Sequence, residues 1–199
     1  MKDDFINSLA ELLTDSDGKL LYDIKPLYAI SRLITLEANE IYISKGDLGK
    51  RLAFIEKGVM RAYTHKENAD EVTLFLRWEG QFIASHDTIL HHRPSRFIYR
   101  ALEPSILMEI DYDQLEGMLK LYPDLEPLRN FFLMRMLSET LQVMESFVLQ
   151  SPEERYRELV TERAQLVNRV ADKYIASMLG ITPVSLSRIR KRMHQKGRS

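Results

Sequence analysis

The feature that most constrains this chain is a pair of short helical patterns separated by Gly180, close to its C-terminal end. The first pattern, from Ala171 to Leu179, directs Ile175 to one side and places the small Ala176 where a second helix must pass close. Glycine readily adopts the left-handed backbone conformation that ends a helix and turns the chain. The pattern therefore predicts two helices packed across a tight turn.

The second helix of this pair is predicted to begin after Thr182, which can cap it, with Pro183 in the first turn where a missing N–H costs nothing. Leu186, Ile189 and Met193 share one face of this helix. Such a helix fits a DNA major groove, where arginine can pair with guanine and other polar groups can contact phosphates. The alternative is an ordinary helical hairpin with a solvated basic face. The candidate DNA-binding residues are Thr182, Ser185, Ser187, Arg188, Lys191 and Arg192.

The charge of the chain is distributed unevenly along the sequence. The 199 residues contain 28 Lys and Arg and 29 Asp and Glu, which gives a formal net charge of −1. The segment from Lys173 to Ser199 nevertheless has seven basic side chains and no acidic one. A basic end on an acidic body indicates an element that binds a polyanion, although a solvated basic tail would have the same composition.

The N-terminal half is rich in short β-type runs separated by turn-forming residues. Strands at such regular spacing indicate a sandwich or barrel, here a β-roll. Short helices are predicted before it, one from the spacing of Phe5, Leu9 and Leu12 and one over Pro26–Leu33. The clearest strand runs are Ile41–Ile43, Leu52–Ile55, Val72–Leu76 and Ile106–Ile110.

After Pro123 the apolar spacing becomes helical over a run that corresponds to a helix about 37 Å long. This is longer than a small domain needs to cover its own core, so we expect the helix to pair with a second copy, although it could also pack on the β-roll. Ser151, Pro152 and Glu154 then predict a capping box and a new helix, and therefore a domain boundary. The expected dimer-interface residues are Leu128, Phe132, Leu137, Leu141, Met144 and Val148.

The stretch from Lys173 to Arg192 resembles the reading head of the CRP/FNR family of transcription regulators, and the order of the predicted parts extends the resemblance over nearly the whole chain. The resemblance implies an α+β fold with a double-stranded β-roll (a jelly roll of the cyclic nucleotide-binding type) at residues 1–123. A dimerisation helix would follow at 124–150, and a winged-helix or helix-turn-helix domain at 151–199. It also implies a homodimer that binds a pseudo-palindromic operator in double-stranded DNA, acts with RNA polymerase, and responds to a small effector.

Within this resemblance, Arg188 matches the base-reading arginine of the family's recognition helix. Pro183 and Val184 stand at two other base-reading positions, where the best-known members have an arginine and a glutamate. Neither side chain can make the corresponding hydrogen bonds, so we expect a different operator sequence.

The resemblance also places an effector pocket in the β-roll. Ligand-binding members have a glycine–glutamate cassette that holds the ribose and a later arginine that pairs with the phosphate. Here Arg96 could serve as the phosphate arginine, but no acidic residue matches the glutamate, and Phe97 replaces a small hydroxyl residue. Losing a buried charged contact costs about 2–5 kcal/mol, so we expect that cyclic AMP is not the effector. The candidate pocket residues are Gly80, Gln81, Phe82, Ala84, Arg96 and Phe97.

Two readings from other functional classes remain open. One is a β-roll module that binds a metabolite or protein and retains a vestigial helix-turn-helix. The other is a cupin-like metalloenzyme, because His86, His91 and His92 lie between the two cassette halves. The histidine and glutamate spacing of cupins is absent, and a surface loop is the simpler interpretation of the three histidines.

Composition and motif content favour a protein without a catalytic site. The chain has no cysteine, which excludes disulfides, thiolate metal sites and cysteine-ligated iron–sulfur clusters. We find no catalytic motif, and we expect neither a metal nor a cofactor. The sequence has no signal-peptide pattern and no apolar run of about 20 residues, so we expect a cytoplasmic protein without a membrane partner.

Overall fold

The computed structural model describes residues 24–196, and the helix predicted from Phe5, Leu9 and Leu12 lies outside these residues. The described chain is β-rich up to Asp111 and helical from Tyr112 onward. Its strands are β1 (Arg32–Leu36), β2 (Ile41–Ile43), β3 (Arg51–Lys57), β4 (Met60–His65), β5 (Glu71–Arg77), β6 (Phe82–Ala84), β7 (Ile98–Ala101) and β8 (Ser105–Asp111). Its helices are α1 (Lys25–Ala29), α2 (His86–Leu90), α3 (Tyr112–Leu121), α4 (Glu126–Leu149), α5 (Pro152–Arg169), α6 (Asp172–Met178) and α7 (Pro183–Lys196).

The strands form two four-stranded sheets, which is the β-roll expected from the sequence. The first sheet has the order β1-β8-β3-β6 and the second the order β2-β7-β4-β5. In the first sheet, β8 lies between antiparallel neighbours, with Leu33 opposite Met108 and Phe54 also opposite Met108. The four strand runs identified in the sequence all fall within observed strands.

The core below the first sheet is closed by helices. Phe54 and Met108 on the sheet pack with Leu115 and Leu119 of α3 and with Leu128 at the start of α4, and all five side chains are buried. A short 3-10 turn at Pro123–Leu125 joins α3 to α4. The sheet therefore covers its apolar face with the helices that follow it directly in sequence.

The Cα positions group into two compact units. One contains the described chain up to Ala62 together with Arg77–Met134. The other contains Tyr63–Leu76 and the described chain from Arg135 onward. No helix within residues 24–196 is both long and apolar enough to cross a membrane.

Two expected elements differ from the structure. The helix predicted over Pro26–Leu33 ends at Ala29, because Arg32–Leu36 instead pairs with β8 along its whole length. No strand follows Asp111 among the described residues, so these residues show the C-terminal domain as the helices α5, α6 and α7 without a wing. The link from Arg169, where α5 ends, to Asp172, where α6 begins, is too short to hold a wing hairpin.

The new helix predicted after the long one is confirmed. Ser151 caps α5 by accepting a hydrogen bond from the backbone N–H of Glu154, and the Glu154 carboxylate accepts one from the backbone N–H of Ser151. This reciprocal capping box satisfies two N–H groups that would otherwise lack partners at the helix start. Pro152 occupies the first turn, as expected.

Candidate functional site

The two C-terminal helices, α6 and α7, pack through the apolar faces that the sequence indicates. Ile175 and Ala176 on α6 are 1% and 0% exposed, and Leu186 and Ile189 on α7 are 0% and 5% exposed. Ala176 lets the helices approach because its side chain is a single methyl group. This buried seam determines which face of α7 is turned toward solvent. Below, α6, α7 and their connecting turn are called the C-terminal helix pair.

The turn of this helix pair depends on Gly180. Its φ of +74° lies in the left-handed region, and its N–H donates to the Ser177 carbonyl. A Cβ atom added at this position would lie 3.3 Å from Cε1 of Phe147 on α4. Glycine is therefore favoured here both by the backbone conformation and by a close neighbour.

Gly180→Ala is expected to destabilise the C-terminal helix pair by about 1–2 kcal/mol, because alanine is strained at positive φ. The measurement is urea-induced unfolding followed by circular dichroism. Gly117→Ala is the matched control: Gly117 lies within α3, and an added Cβ would meet no atom within 4 Å. That control should be neutral or slightly stabilising, because alanine is the better helix former. Equal stability of Gly180→Ala and the wild type would contradict this account of the turn.

The start of α7 is organised by the cap predicted from the sequence. The Thr182 hydroxyl accepts a hydrogen bond of 3.1 Å from the backbone N–H of Ser185, and the two hydroxyls lie 3.0 Å apart. The first turn of α7 has no acidic residue, and Val184 is 61% exposed. The partial positive charge of this helix end is therefore open to an anion such as a phosphate.

The exposed face of α7 carries uncompensated positive charge. Ser187, Arg188 and Lys191 are exposed, and among the described residues neither Arg188 nor Lys191 is joined to a carboxylate. Arg188 therefore does not turn inward against its own domain. Within residues 24–196, α7 therefore has two cationic groups without a carboxylate partner. They lie on the same helix as the exposed N-terminal turn described above.

Two other arginines of α7 are held by carboxylates. Arg192 donates to Glu153 on α5 at 2.7 Å, so this predicted DNA-binding residue has an internal partner in the free protein. Arg190 donates to the Tyr156 hydroxyl and to Asp172, both at 2.7 Å. Arg190 thus ties α7 to α5 and α6, a structural role that its position beside Arg188 in the sequence did not indicate.

The long helix α4 exposes much more apolar surface than one helix of a monomer usually does. Most of the predicted interface residues are exposed to solvent on this helix: Leu137, Leu141, Met144 and Val148 are 43–76% exposed. Further exposed side chains widen this surface, namely Phe131, Leu133, Met134, Val143, Phe147 and Leu149.

Two predicted interface residues lie elsewhere. Leu128 is 2% exposed and belongs to the core below the first sheet, so the structure assigns it to its own chain and not to an interface. Phe132 is half-buried and its ring centroid lies 4.7 Å from that of Phe82. The periodicity of the sequence could not distinguish these positions, because the first turns of α4 close the core with the same residue types that its later turns expose.

The predicted effector pocket separates into two groups by its contacts. Gly80 and Gln81 form the turn before β6, where the Gln81 side chain accepts a hydrogen bond from the Trp78 backbone. Phe82 and Ala84 lie on β6, and the Phe82 ring contacts the rings of Phe54 and Phe132.

The second group surrounds Arg96. Its Nε donates to both carboxylate oxygens of Asp87 at 3.0 Å, and its backbone N–H donates to Asp87 at 3.0 Å. Its Nη2 lies 3.2 Å from Nε2 of His86, and its guanidinium lies over the Phe97 ring at 5.5 Å. The fork of Arg96 is therefore already engaged by residues of the same cassette.

Asp87 is the residue of this cassette that the sequence analysis missed. Its side chain is fully buried at the first turn of α2, and Arg93 approaches it at 3.5 Å. Burial on its own would raise the pKa of Asp87, but the hydrogen bonds from Arg96 outweigh burial and lower that pKa to about 2. No spacing rule links the two positions, because the contact arises from the fold of the loop between α2 and β7.

The expected surface loop holds only two of the three histidines between the cassette halves. His91 and His92 follow the end of α2, whereas His86 is the first residue of that helix. Burial lowers the pKa of His86, which favours its neutral imidazole. Among residues 24–196, no group of three or more histidine, aspartate or glutamate side chains is arranged to hold a metal ion.

Comparison with known proteins agrees with this architecture. Residues 33–122 match the family model described as the cyclic nucleotide-binding domain. No curated protein sequence matches the chain.

Among solved structures, FixK2 from Bradyrhizobium japonicum is similar with a TM-score of 0.71 at 14% identity, over 84% of this chain and 86% of that one. The c-di-GMP-responsive regulator CLP from Xanthomonas campestris gives 0.69 at 17% identity, over 87% and 91%. A CRP/FNR-family transcriptional regulator from Thermus thermophilus gives 0.61 at 14% identity, over 83% and 87%.

The N-terminal half of the chain is a β-roll of the cyclic nucleotide-binding type. The chain as a whole has the fold of the CRP/FNR transcription regulators.

Proposed function

We propose that this protein is a DNA-binding transcription regulator that acts as a homodimer on a pseudo-palindromic operator. The observation that carries the proposal is the exposed pair Arg188 and Lys191, which has no carboxylate partner within residues 24–196, on a helix whose opposite face is buried. In this role the C-terminal helix pair is a helix-turn-helix and α7 is its recognition helix. It is a regulator and not an enzyme, and RNA polymerase is its proposed partner at promoters.

The proposed contacts divide between bases and phosphates. Arg188 reaches a base edge in the major groove, and Lys191 and the N–H groups at the start of α7 contact phosphates. Exposed Val184 can touch a thymine methyl group, which suits an operator unlike those read by an arginine and a glutamate. Arg192 can exchange its exposed pair with Glu153 for a phosphate, because such pairs contribute only about 0–1 kcal/mol.

The proposed domain organisation places the effector domain at residues 1–123, the dimerisation helix at 124–150 and the DNA-binding domain at 151–199. Two copies pair along the exposed apolar surface of α4, which would otherwise favour aggregation. A parallel pair of such helices presents two recognition helices related by a twofold axis, which is the symmetry that a palindromic operator requires.

We further propose that cyclic AMP is not the effector of this regulator. Arg96 already donates through Nε to Asp87, a buried carboxylate, so a cyclic phosphate would compete with an existing negative charge for the same guanidinium. A ligand would have to replace these charge-assisted hydrogen bonds as well as make its own.

Asp87→Asn is expected to lower the melting temperature at pH 7, because the neutral amide cannot replace the charged pair with Arg96. The folded-state pKa of Asp87, about 2, lies below the value of about 3.9 in an unfolded chain. Its stabilisation is therefore complete above about pH 5 and is lost as the pH falls toward about 2. Melting curves across this range should show wild type and variant converging in acid.

Asp113→Asn serves as the control for this measurement. Asp113 is 66% exposed and pairs with Lys50, so its loss should change stability little at any pH. A constant difference between wild type and Asp87→Asn from pH 7 to pH 3 would contradict the assigned role of Asp87.

The proposed function is tested by titrating fluorescently labelled genomic DNA fragments with the purified protein at low and moderate salt, with and without cyclic AMP. We expect binding that weakens steeply with salt, because phosphate contacts release counterions, and that does not change on addition of cyclic AMP. No binding at low salt would refute the proposal, and binding that requires cyclic AMP would refute its effector part.

A further inference from the structure

Arg155, in the first turn of α5, contacts two separate helix ends. It lies within the compact unit that contains the later part of α4 and the C-terminal helix pair. We propose that Arg155 is a positioning residue that fixes the orientation of the C-terminal helix pair on the end of α4. The consequence for DNA rests on the proposed function, whereas the fixed orientation itself does not.

The first contact is with the C-terminal end of α4. Nη1 of Arg155 donates to the Gln150 carbonyl at 2.7 Å and to the Ser146 carbonyl at 3.3 Å. Carbonyls at the C-terminal end of a helix carry partial negative charge. The Ser146 carbonyl already accepts the backbone N–H of Gln150, so Arg155 adds a second donor to it and places a positive charge against the helix end.

The second contact is with the turn of the C-terminal helix pair. Nη2 of Arg155 donates to the Leu179 carbonyl at 3.0 Å, directly before Gly180. The guanidinium also lies over the Phe147 ring, 4.3 Å from its centroid, and Gly180 packs close to the same ring. The same cation thus binds the end of α4 on one side and the end of α6 on the other.

The position of Arg155 is itself well determined. Its backbone N–H donates to the Ser151 carbonyl, and the capping box of Ser151 and Glu154 fixes the first turn of α5. Nη1 and Nη2 of the planar guanidinium donate to carbonyls at the ends of two different helices, which a single ammonium group cannot reproduce. Lysine would keep the charge but lose this geometry, so Arg155→Lys separates the effect of the fork from the effect of charge.

The orientation can be measured without DNA. Because the chain has no cysteine, spin labels can be attached at introduced cysteines in place of the exposed Gln142 on α4 and Ser187 on α7. Labelled chains are mixed with an excess of unlabelled chains, so that most distances are measured within one chain. Double electron–electron resonance should give one narrow distance for the wild type and a distribution roughly twofold broader for Arg155→Ala and Arg155→Lys.

Arg157→Lys is the matched control. Arg157 lies on the same helix and is 52% exposed, and its ion pair within the described residues is with Glu153 of that helix, at 3.5 Å. Its distance distribution should equal that of the wild type. A narrow distribution for Arg155→Lys in a folded protein would overturn the proposal. Equal broadening by Arg157→Lys would overturn it as well, because the effect would not be specific to Arg155.

A second measurement concerns operator geometry. Inserting one base pair between two half-sites displaces one half-site and rotates it about the duplex axis relative to the other. Because a rigid dimer cannot follow this change, its affinity should fall by roughly tenfold. Arg155→Lys should reduce this penalty while the protein keeps the wild-type dimer mass and stays folded at the temperature of the measurement. A uniform loss of affinity with an unchanged spacing penalty would overturn the proposal. If the wild type bound no DNA, the proposed function would fail, and the distance measurement alone would decide the role of Arg155.

Discussion

Glutamate at both Leu141 and Met144 is expected to convert the protein from a dimer into a monomer and to reduce operator affinity by about 100-fold or more. The two side chains are 43% and 56% exposed on α4, so the change leaves the core of each chain intact. In a dimer, however, four carboxylates would be buried against apolar partners, which is strongly unfavourable. Light scattering should then give a mass near 23.3 kDa in place of twice that value.

The control for this variant is Gln142→Glu, which adds one of the two negative charges at an exposed position on the same turn of α4. It should remain dimeric if the interface follows the apolar stripe. A wild-type protein that is monomeric at micromolar concentration, or a double variant that remains dimeric, would show that the surface of α4 has another use.

Arg188→Ala is expected to weaken binding by about 1–3 kcal/mol, or roughly 5- to 150-fold, for each half-site of a specific operator, and to relax the preference for one base pair in each half-site. The size is that of one bidentate contact with a base, which a dimer loses in both half-sites. Stability should not change, because Arg188 is exposed and has no carboxylate partner among the described residues. Fluorescence anisotropy with selected and mutated operators gives both quantities.

Two further variants make the interpretation of Arg188 specific. Lys191→Ala should weaken binding to all sequences alike and lower the salt slope by about one for each half-site, as expected for a phosphate contact. Arg157→Ala removes the same charge from α5, outside the recognition helix, and should have little effect. If Arg188→Ala and Arg157→Ala had equal effects, long-range attraction rather than base reading would explain the role of Arg188.

The C-terminal helix pair was predictable because local signals agree there. Gly180 takes the positive φ expected of it, Thr182 caps α7, and Leu186 and Ile189 lie in the buried seam. Each signal concerns residues within one or two helical turns of each other. The strand runs were similarly visible, because β-rich segments alternate with turn-forming residues.

What the sequence did not indicate depends on contacts between distant segments. Asp87 pairs with Arg96 across a loop, Arg190 reaches Tyr156 on another helix, and Arg155 reaches the Leu179 carbonyl. Charged side chains of this kind look like ordinary surface residues in a linear pattern. The start of α4 was misassigned for a related reason, since Leu128 has the same periodicity as exposed Leu141 but lies against the sheet core.

The most direct test of the account is selection of binding sites from a random duplex library by the purified wild-type protein. The account predicts enrichment of an inverted repeat whose half-sites are centred about one helical turn, or 34–36 Å, apart. It also predicts that Arg188→Ala loses this enrichment at particular positions of each half-site. Recovery of no common sequence, or of a single unrepeated site, would contradict a dimer that reads DNA through α7.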